Sequence, residues 1–484
     1  MIRATAATWI NHGTTLVFQV AFAAQFGTSS RASAFVVAFA AASALGSVFV
    51  STAISVGVPR LTDAAGRLTR PALRFIGLLC TLAVALGVLV VPLAPLIAAP
   101  LASLLGVSAS EMAGLILVAA AFFVFNALFG VLGSVLLARG RRFLPAVAPA
   151  MPTAAGALFV IAVGSPSVTG VLGAVALGAL IQLGITSFAA WRHAPATAEA
   201  MPVHVGWIAA LTVLVFTMFS ILPILQRIVS AVGNPADAVR ADYAFRGIIA
   251  AEQLLVGGVA LAALPRWADR DRRGGDIRSD VALTMLFAGL VVITAASVAF
   301  VVAPSLTALL FQRGAFTSAD SAAVGLLVRI GLIGFIAESL TLVFVQGVLA
   351  KGRNDLVLRA GFLRLTTQIT LTLALGLAFG VVGVALAYSV SLAITFIYLL
   401  RLATTIGLSI DSPFLRRSFI VWSATAAVGV TVLAAGVGPA WLSGSLVLCA
   451  AYAATWLAGL HPLLLAVIRR GRTKLGEASL CTLR

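Results

Sequence analysis

Long apolar runs separated by short polar segments make up most of the chain. A run of about 20 apolar residues is long enough for an α-helix to cross the hydrocarbon core of a bilayer. Fourteen runs meet this condition, at 5–26, 33–58, 73–96, 112–138, 144–164, 169–191, 205–230, 243–265, 281–303, 323–349, 357–378, 380–400, 417–437 and 442–468. The pattern predicts an all-α polytopic membrane protein with about fourteen transmembrane helices.

Two of the breaks between runs are very short. "GSPSVTG" separates 144–164 from 169–191, and "FGVVG" separates 357–378 from 380–400. Glycine, proline and serine are the residues that favour turns. We therefore expect each of these pairs to be two helices joined by a tight connection.

The composition supports a lipid environment. Of the 484 residues, 61% are hydrophobic and only 10% are charged, and the mean hydropathy is +1.12. Soluble domains contain about 25% charged residues. A chain this apolar cannot hide its surface in its own core, so its solvent is lipid. The first run has no cleavage region and leads straight into the second, so we expect an uncleaved first span.

The net charge of +17 would fit a nucleic-acid ligand, but the arginines are not clustered with aromatic residues. They lie between the apolar runs. If the N-terminus is cytoplasmic, 25 of the 32 basic residues lie in cytoplasmic segments, and the outer loops hold only Arg31, Arg240 and Arg313. Cytoplasmic loops of membrane proteins are enriched in Lys and Arg. The pattern predicts that both termini are cytoplasmic, and it excludes nucleic acid as the partner.

Three marks repeat along the chain in the same order. Pro-Arg followed by Asp and Arg ends the runs at 56–67 and 261–273, "LLARGRRF" (136–143) matches "VLAKGRND" (348–355), and "GVLGAVALG" (170–178) matches "GVVGVALAY" (380–388). The offsets are 206, 212 and 210 residues. They predict a six-helix bundle at 1–200, a homologous bundle at 201–405, and two extra helices with a cytoplasmic tail at 406–484. Transporters built from parallel repeats bind cargo between the halves.

Once the basic residues at the ends of the runs are assigned to the loops, six charged residues remain inside the apolar runs: Arg227, Arg246, Arg329, Arg364, Glu252 and Glu338. A charge at the centre of a bilayer costs about 2.5–3.5 kcal/mol on insertion scales. Such residues face the protein interior or a water-filled cavity.

A purely structural role remains an alternative for several of these residues. Arg246 is about one turn from the outer end of its predicted span and could snorkel to the interface. Glu252 is too deep to do so, while Glu338 could be a buried carboxyl bonded to a neighbouring helix. Arg364 forms an i,i+4 polar stripe with Gln368, and it too could snorkel. His12, a lone histidine in the first run, could serve polar packing.

The sequence contains no hydrolytic triad, nucleotide-binding loop or metal cluster. The cysteines Cys80, Cys449 and Cys481 have no metal-like spacing, and their odd number argues against a disulfide framework. We therefore expect a transporter that is not an enzyme and needs no cofactor.

Four stretches resemble the MurJ/MviN lipid II flippases, which belong to the multidrug/oligosaccharidyl-lipid/polysaccharide exporter superfamily. "LLFQRGAFTSAD" (309–320) resembles the outer-loop motif of that family, and "VLAKGRND" with "GVVGVALAYSVS" resembles its tenth-to-twelfth helix region. "ADYAFRGIIAAEQLLVGGVALAALPRW" (241–267) resembles its eighth helix, and "FGTSSRASAFVVAF" (26–39) the start of its second.

This resemblance implies two helical bundles in a V around a cationic cavity, which takes the diphosphate and sugar head of a polyprenyl-linked precursor. The thirteenth and fourteenth helices would hold the lipid tail. The resemblance implies a bacterial cytoplasmic membrane and coupling to a monovalent cation or to membrane potential. On this basis Arg246, Arg364, Arg31 and His12 are the candidates for cargo binding, and Glu252 and Glu338 for the switch or ion coupling. A monomer in the lipid bilayer is expected.

The first half departs from the family pattern. The family usually carries arginines on the first helix, where this chain has His12 and Phe18. Ser33 replaces an acidic residue of the second helix, and "SALGSVFVSTAI" (43–54) replaces a charged segment. In the eighth helix, Ile249 occupies the position where the family usually has an acidic residue, and Glu252 follows one turn later.

These departures leave several functions open. The first is a flippase for lipid II or a related precursor. A polysaccharide-repeat flippase and a cation-coupled drug exporter are alternatives within the transporter class. An alternative of another class is a non-transporting membrane scaffold that holds cell-wall synthesis enzymes.

The topology can be tested with reporter fusions at Gly314 and Arg472. We expect the two reporters to report opposite sides of the membrane, because an odd number of predicted spans separates these residues and basic segments flank only the second. Reporters on the same side would contradict both the number of spans and the repeat.

Overall fold

The structure, a computed structural model, describes residues 2–54, 70–138, 141, 143–192 and 220–408, together with isolated positions between 420 and 447. Thirteen α-helical segments are described within the four longer ranges. They are α1 (Ile2–Phe26), α2 (Ser30–Thr52), α3 (Arg70–Leu105), α4 (Ala109–Ala138), α5 (Phe143–Val147), α6 (Ala150–Ala162), α7 (Val168–Arg192), α8 (Ser220–Ala231), α9 (Ala236–Glu252), α10 (Gly258–Arg272), α11 (Arg278–Phe311), α12 (Ser318–Ala350) and α13 (Asn354–Thr404).

The all-α prediction is confirmed, since the described residues contain no strand. Eight helical segments of the described residues are long and apolar enough to cross a membrane, and one of them is α5 together with α6. The runs at 417–437 and 442–468 lie outside the described residues apart from isolated positions, as does most of the run at 205–230. The number fourteen therefore stays a prediction.

The two short breaks are turns between helices, as predicted. α6 ends at Ala162 and α7 begins at Val168, where the Ser167 hydroxyl accepts a hydrogen bond of 3.0 Å from the Gly170 amide. Gly380 interrupts α13 with φ 60° and ψ −144°, a conformation that only glycine adopts readily. A side chain at Gly383 would overlap the Leu375 carbonyl, so the chain reverses at this kink and α13 has two arms.

One predicted helix boundary is wrong. The run predicted to begin at 243 begins at Ala236, so Arg246 lies ten residues into α9 and not one turn from its end. The helix start carries ordinary N-terminal signals: the Asn234 side chain accepts a hydrogen bond of 3.2 Å from the Ala236 amide, and Asp237 lies in the first turn. The predicted apolar run does not include this first turn, because the residues of the turn are polar.

The two halves of the predicted repeat share structural details. α4 begins at Ala109 and α12 at Ser318, 209 residues later. An ion pair joins Arg31 to Glu111, and a second joins Arg240 to Asp320, with both partners again offset by 209 residues. At the matched ends of α4 and α12, the Arg141 amide bonds the Leu136 carbonyl and the Arg353 amide bonds the Val348 carbonyl. These matched contacts support the repeat, while the domain boundaries stay a prediction.

The fold divides into two compact units that cut across this repeat. The first unit holds Met1–Tyr243, Ala308–Val324 and Ile369–Val384, and the second holds Ala244–Thr307, Gly325–Gln368 and Ala385–Arg484. The first unit thus contains the end of α11, the start of α12 and the middle of α13 besides the first half of the chain. Its aromatic core includes Phe22 and Phe35, whose ring centroids are 4.5 Å apart.

Contacts between loops agree with the alternation of sides. Gln25 donates to the Gly164 carbonyl at 3.4 Å, and both lie at the predicted outer ends of their runs. Arg31 pairs with Glu111, and both belong to segments predicted to be outer. Lys351 pairs with Asp271 at 3.2 Å, and both belong to segments predicted to be inner. Which side faces the cytoplasm stays a prediction.

Candidate functional site

The candidate site in the second unit is a group of four polar side chains, Glu252, Glu338, Arg364 and Tyr388. Arg364 on α13 donates from Nη1 to Oε1 of Glu338 on α12 at 2.6 Å. The side chains are only 24% and 18% exposed. The polar stripe that the sequence suggests at Arg364 and Gln368 thus contains one side of a partly buried ion pair.

Glu252 adds a second carboxylate to this pair. It is the last residue of α9, is only 5% exposed, and interacts electrostatically with Glu338 and Arg364. No hydrogen bond reaches its carboxylate from the described residues. Oε2 of Glu338 is buried and likewise receives no hydrogen bond from that part of the chain. The sequence alone did not indicate that these three residues meet.

Local packing fixes the helices that carry this group. The Ser389 hydroxyl, next to Tyr388 on the second arm of α13, donates to the Ile330 carbonyl of α12 at 2.7 Å. The Tyr388 ring packs on Phe245 of α9 with 5.1 Å between centroids. A π-helical segment, Gln253–Gly257, follows Glu252 directly. Single π-turns inside helices occur frequently at functional sites.

The charges in this group do not balance when both acids are ionised. Glu252 and Glu338 carry two negative charges, and Arg364 carries one positive charge. A buried unbalanced charge is costly unless it gains a counter-ion or a proton. The surplus corresponds to the charge of one monovalent cation or one proton, and the arginine of the group is already engaged by a carboxylate.

Arg246 lies on α9, six residues before Glu252. The residue is partly buried, and its Nε atom is fully buried. Six residues correspond to about 240° around a helix axis, so Arg246 and Glu252 leave α9 in different directions. Its position well inside α9 weakens the snorkelling alternative, because the helix end is nearly three turns away.

The other two cargo-binding candidates lie in the first unit and away from this group in the chain. Arg31 is in the first turn of α2, where its side chain is 71% exposed and pairs with Glu111 at 3.3 Å. His12 is a half-buried residue of α1, and no described residue forms a hydrogen bond with its ring. All four residues of the group around Arg364 belong to the second unit.

Two further arginines of the apolar runs are explained by partners. Arg227 on α8 donates from Nε to Asp242 at 2.8 Å, and both side chains are less than a tenth exposed. Arg329 donates to the Phe300 carbonyl at 2.8 Å. The hydropathy pattern does not indicate Asp242 as an acid inside a helix, because the predicted run begins one residue after it. A polar helix start with alternating acids and arginines was the available signal.

A second polar centre, Asp320, lies in the first unit at the start of α12. Its Oδ1 accepts hydrogen bonds from Thr28 at 2.9 Å and from Arg240 at 2.7 Å, and its Oδ2 accepts one from the Thr317 hydroxyl at 2.7 Å. Its side chain is 5% exposed. Thr28 belongs to the first half of the repeat and the other residues to the second. Asp320 thus joins segments from both halves.

Backbone contacts join the same two segments. The Ala315 amide donates to the Ala24 carbonyl at 2.8 Å. Gly27 and Gly314 both have φ 56°, and a side chain at either would overlap the carbonyl of Ala315 or Ala24, respectively. We call this region, with Asp320 and its partners, the outer contact. Apart from Ala24 and Arg240, its residues belong to the two stretches "FGTSS" and "RGAFTSAD", which lie in two separate motifs of the sequence.

The family match covers most of the chain. The sequence profile of the family described as "Lipid II flippase MurJ" matches residues 22–452. The chain belongs to this lipid II flippase family. The resemblance inferred from the sequence motifs is thereby confirmed. Curated protein sequences give no significant match to the chain.

Solved structures agree with the family assignment at the level of the fold. The chain is similar to "Lipid II flippase MurJ, inward closed conformation", with a TM-score of 0.79 and 16% identity over 94% of this chain and 98% of that one. It is also similar to an inward-facing multidrug resistance MATE family transporter, with a TM-score of 0.62 and 15% identity over 85% of this chain and 99% of that one. The chain is similar as well to a MOP superfamily transporter from Pyrococcus furiosus, with a TM-score of 0.57 and 14% identity over 85% of this chain and 96% of that one.

These matches make the chain a multi-pass membrane protein of a transporter family with a lipid-linked substrate. They also place the two motifs of the outer contact within a lipid II flippase fold. The roles of the individual residues are not carried over by a likeness of this degree.

The buried pair can be tested by a double-mutant cycle. We expect Arg364→Ala to destabilise the protein by about 3–5 kcal/mol, because it leaves Glu338 and Glu252 without a compensating charge. Adding Glu338→Ala should restore part of that loss. The measurement is the free energy of unfolding in mixed micelles, for both single variants and the double variant.

The exposed pair of Arg273 and Asp269 is the matched control, since its side chains are 79% and 59% exposed. Its coupling should be no more than about 1 kcal/mol. A coupling between Arg364 and Glu338 as small as that of the control would contradict a buried, charge-compensated site.

Proposed function

We propose that this protein carries a polyprenyl-diphosphate-linked cell-envelope precursor, lipid II or a relative, across the bacterial cytoplasmic membrane by alternating access. The observation that carries the proposal is charge inside the spanning helices of the second half, in a chain of the lipid II flippase family. Such charges mark transport pathways because lipid does not tolerate them. Both termini would be cytoplasmic, and the protein would act as a monomer.

Arg246 is proposed as the residue that binds the diphosphate of the cargo. Arg364 is the weaker candidate, since Glu338 and Glu252 already compensate its charge. A guanidinium holds two phosphate oxygens in a fork that an ammonium group cannot form. His12 and Arg31 are proposed only for contacts with the remaining head group, since neither belongs to the group around Arg364.

The outer contact fits one state of this cycle. Its hydrogen bonds join segments of both halves on the side predicted to be outer. We propose that these bonds form when cargo enters from the cytoplasm and break when it leaves. Thr28, Arg240 and Asp320 would then exchange partners with water in each cycle.

A second candidate function is cation-coupled export of a cationic compound. The observation that favours it is the surplus negative charge of Glu252 and Glu338, which would attract a cation as cargo. The Arg246 test separates the two functions, because a cationic cargo gains nothing from that arginine. A non-transporting scaffold for cell-wall synthesis enzymes would not restore growth of a strain depleted of its lipid II flippase, either as the parent protein or as Arg246→Ala.

Arg246→Ala should abolish or sharply weaken transport while the protein still accumulates in the membrane. A charge-assisted contact contributes about 1.5–3 kcal/mol, or roughly 10- to 150-fold in affinity. Arg246→Lys should restore only part of the activity, because it keeps the charge and loses the fork. The measurement is growth of a strain depleted of its own lipid II flippase, together with flipping of lipid II in vesicles.

Arg273→Ala is the control for this series, since Arg273 is exposed and belongs to a basic segment between helices. It should transport like the parent. If Arg246→Ala also does so at equal accumulation, the diphosphate site lies elsewhere. If the parent itself moves no lipid II, the function is another one.

The acids Glu252 and Glu338 are proposed as the coupling site for a monovalent cation, a proton or the membrane potential. Glu252→Gln and Glu338→Gln should each remove the dependence of transport on an imposed cation gradient or potential, while cargo binding remains. The reason is that the amides keep the shape and lose the surplus negative charge. Flipping in proteoliposomes with and without the gradient is the measurement.

Glu111→Gln removes an acid of the outer surface and should leave the dependence on the gradient unchanged. An unaltered response in both Glu252→Gln and Glu338→Gln would rule these acids out as the coupling site. It would leave the diphosphate site at Arg246 untouched.

A further inference from the structure

A serine of the second unit, Ser389, has an unusual pair of partners. It lies on the second arm of α13 and is buried. Its hydroxyl donates to the Ile330 carbonyl of α12 at 2.7 Å and accepts from the Gly334 amide at 3.3 Å. These two backbone groups are four residues apart, so they are the carbonyl and the amide that pair with each other in an α-helix. One hydroxyl therefore contacts both members of a hydrogen-bonding pair of α12.

The neighbouring hydroxyls on the same arm form bonds within their own helix. Ser391 donates to the Tyr388 carbonyl at 2.9 Å, and Thr395 donates to the Ser391 carbonyl at 2.8 Å. A serine hydroxyl has one proton and two lone pairs, so it can donate and accept at the same time. Ser389 uses both capacities on the backbone of another helix. The two serines of the motif "GVVGVALAYSVS" thus have different tasks.

A glycine makes this approach possible. A side chain at Gly334 would place its Cβ atom 2.8 Å from a ring atom of Tyr388 and 3.0 Å from Cα of Ser389. Carbon atoms in van der Waals contact are about 3.5–4.0 Å apart. Only a glycine at this position therefore lets the second arm of α13 come so near to the backbone of α12.

Glu338 lies one turn further along the same face of α12. Residues four apart are rotated by only about 40° around a helix, so Ile330, Gly334 and Glu338 form one row. The row leads into the candidate site, because Glu338 accepts the hydrogen bond of 2.6 Å from Arg364. A side chain that inserts at one backbone pair of a helix can bend the helix there. The direction in which Glu338 leaves α12 thus depends on the turn that Ser389 contacts.

We infer that Ser389 is a positioning residue, whose hydroxyl fixes the turn of α12 before Glu338 and so holds Glu338 against Arg364. The inference rests on the proposed function where it concerns coupling, since Glu338 is proposed there as a coupling acid. If the second arm of α13 withdraws, the Ile330 carbonyl and the Gly334 amide can bond each other, and neither group is left without a partner. The contact is therefore reversible, and it links the position of this arm to the position of Glu338.

A double-mutant cycle in two Ser389 variants tests the positioning without transport. Ser389→Ala removes the hydroxyl, and Ser389→Cys keeps nearly the same volume but has only a weak donor and acceptor. We expect the coupling constant between Arg364 and Glu338 to fall about tenfold in both backgrounds. It is measured from the unfolding of the Arg364→Ala and Glu338→Ala variants and of their combination in mixed micelles.

Ser391→Ala is the matched control, because Ser391 is buried on the same arm and its hydroxyl bonds within α13. It should leave the coupling constant unchanged. A coupling constant equal to that of the parent in both Ser389 variants would overturn the inference. A fall in Ser389→Ala alone would also overturn it, since the volume and not the hydrogen bonds of Ser389 would then matter.

Flipping of lipid II in proteoliposomes gives a second readout. We expect Ser389→Ala and Ser389→Cys to lower the ratio of flipping with an imposed gradient to flipping without it by about threefold. A merely structural role would lower both rates alike and leave this ratio unchanged, and that result would count against the positioning. A parent that moves no lipid II, or does not respond to a gradient, would instead contradict the proposed function. The double-mutant cycle would still decide whether Ser389 positions Glu338.

Discussion

An arginine or a carboxylate inside a lipid-embedded helix is stable only if another group of the protein compensates its charge. This constraint organises the described structure. Arg227 pairs with Asp242, Arg240 with Asp320, and Arg329 with the carbonyl of Phe300. Each partner comes from a different helix or helix end, so charge compensation decides which helices lie next to each other. Where the compensation is incomplete, at Glu252, Glu338 and Arg364, the structure has its best candidate for a working site.

The internal repeat shows how one scaffold can serve two chemical tasks. The ion pair of Arg31 and Glu111 is exposed, whereas its counterpart, Arg240 and Asp320, is largely buried and also receives Thr28. Duplication thus produced two equivalent pairs, and only one of them became part of a contact between the halves. The same division holds inside the helices, where one half presents apolar side chains and the other presents charge. An amphipathic cargo suits such a division.

Much of this fold could be predicted from hydropathy, because lipid requires every spanning backbone to be helical. The tight connection at Gly380 was visible as a glycine-rich break. The start of α9 was not, because its polar first turns are stabilised by Asp237 and Asp320 and not by lipid. Nor could the meeting of Glu252, Glu338 and Arg364 be predicted, since it depends on how three helices pack. The local sequence therefore shows that a charge lies inside a spanning helix, but it does not show which residue compensates that charge.

The two glycines of the outer contact have a mechanical consequence. Gly27 lies against the backbone of Ala315 and Gly314 against the backbone of Ala24, and in each case that backbone fills the space that a side chain on the glycine would need. Backbone atoms have no rotamers with which to adjust to a small displacement. The contact therefore has a short range, because a small displacement removes both the hydrogen bond and the close packing. Close-packed contacts of this kind are bistable, so this one would act as a threshold that separates two discrete states.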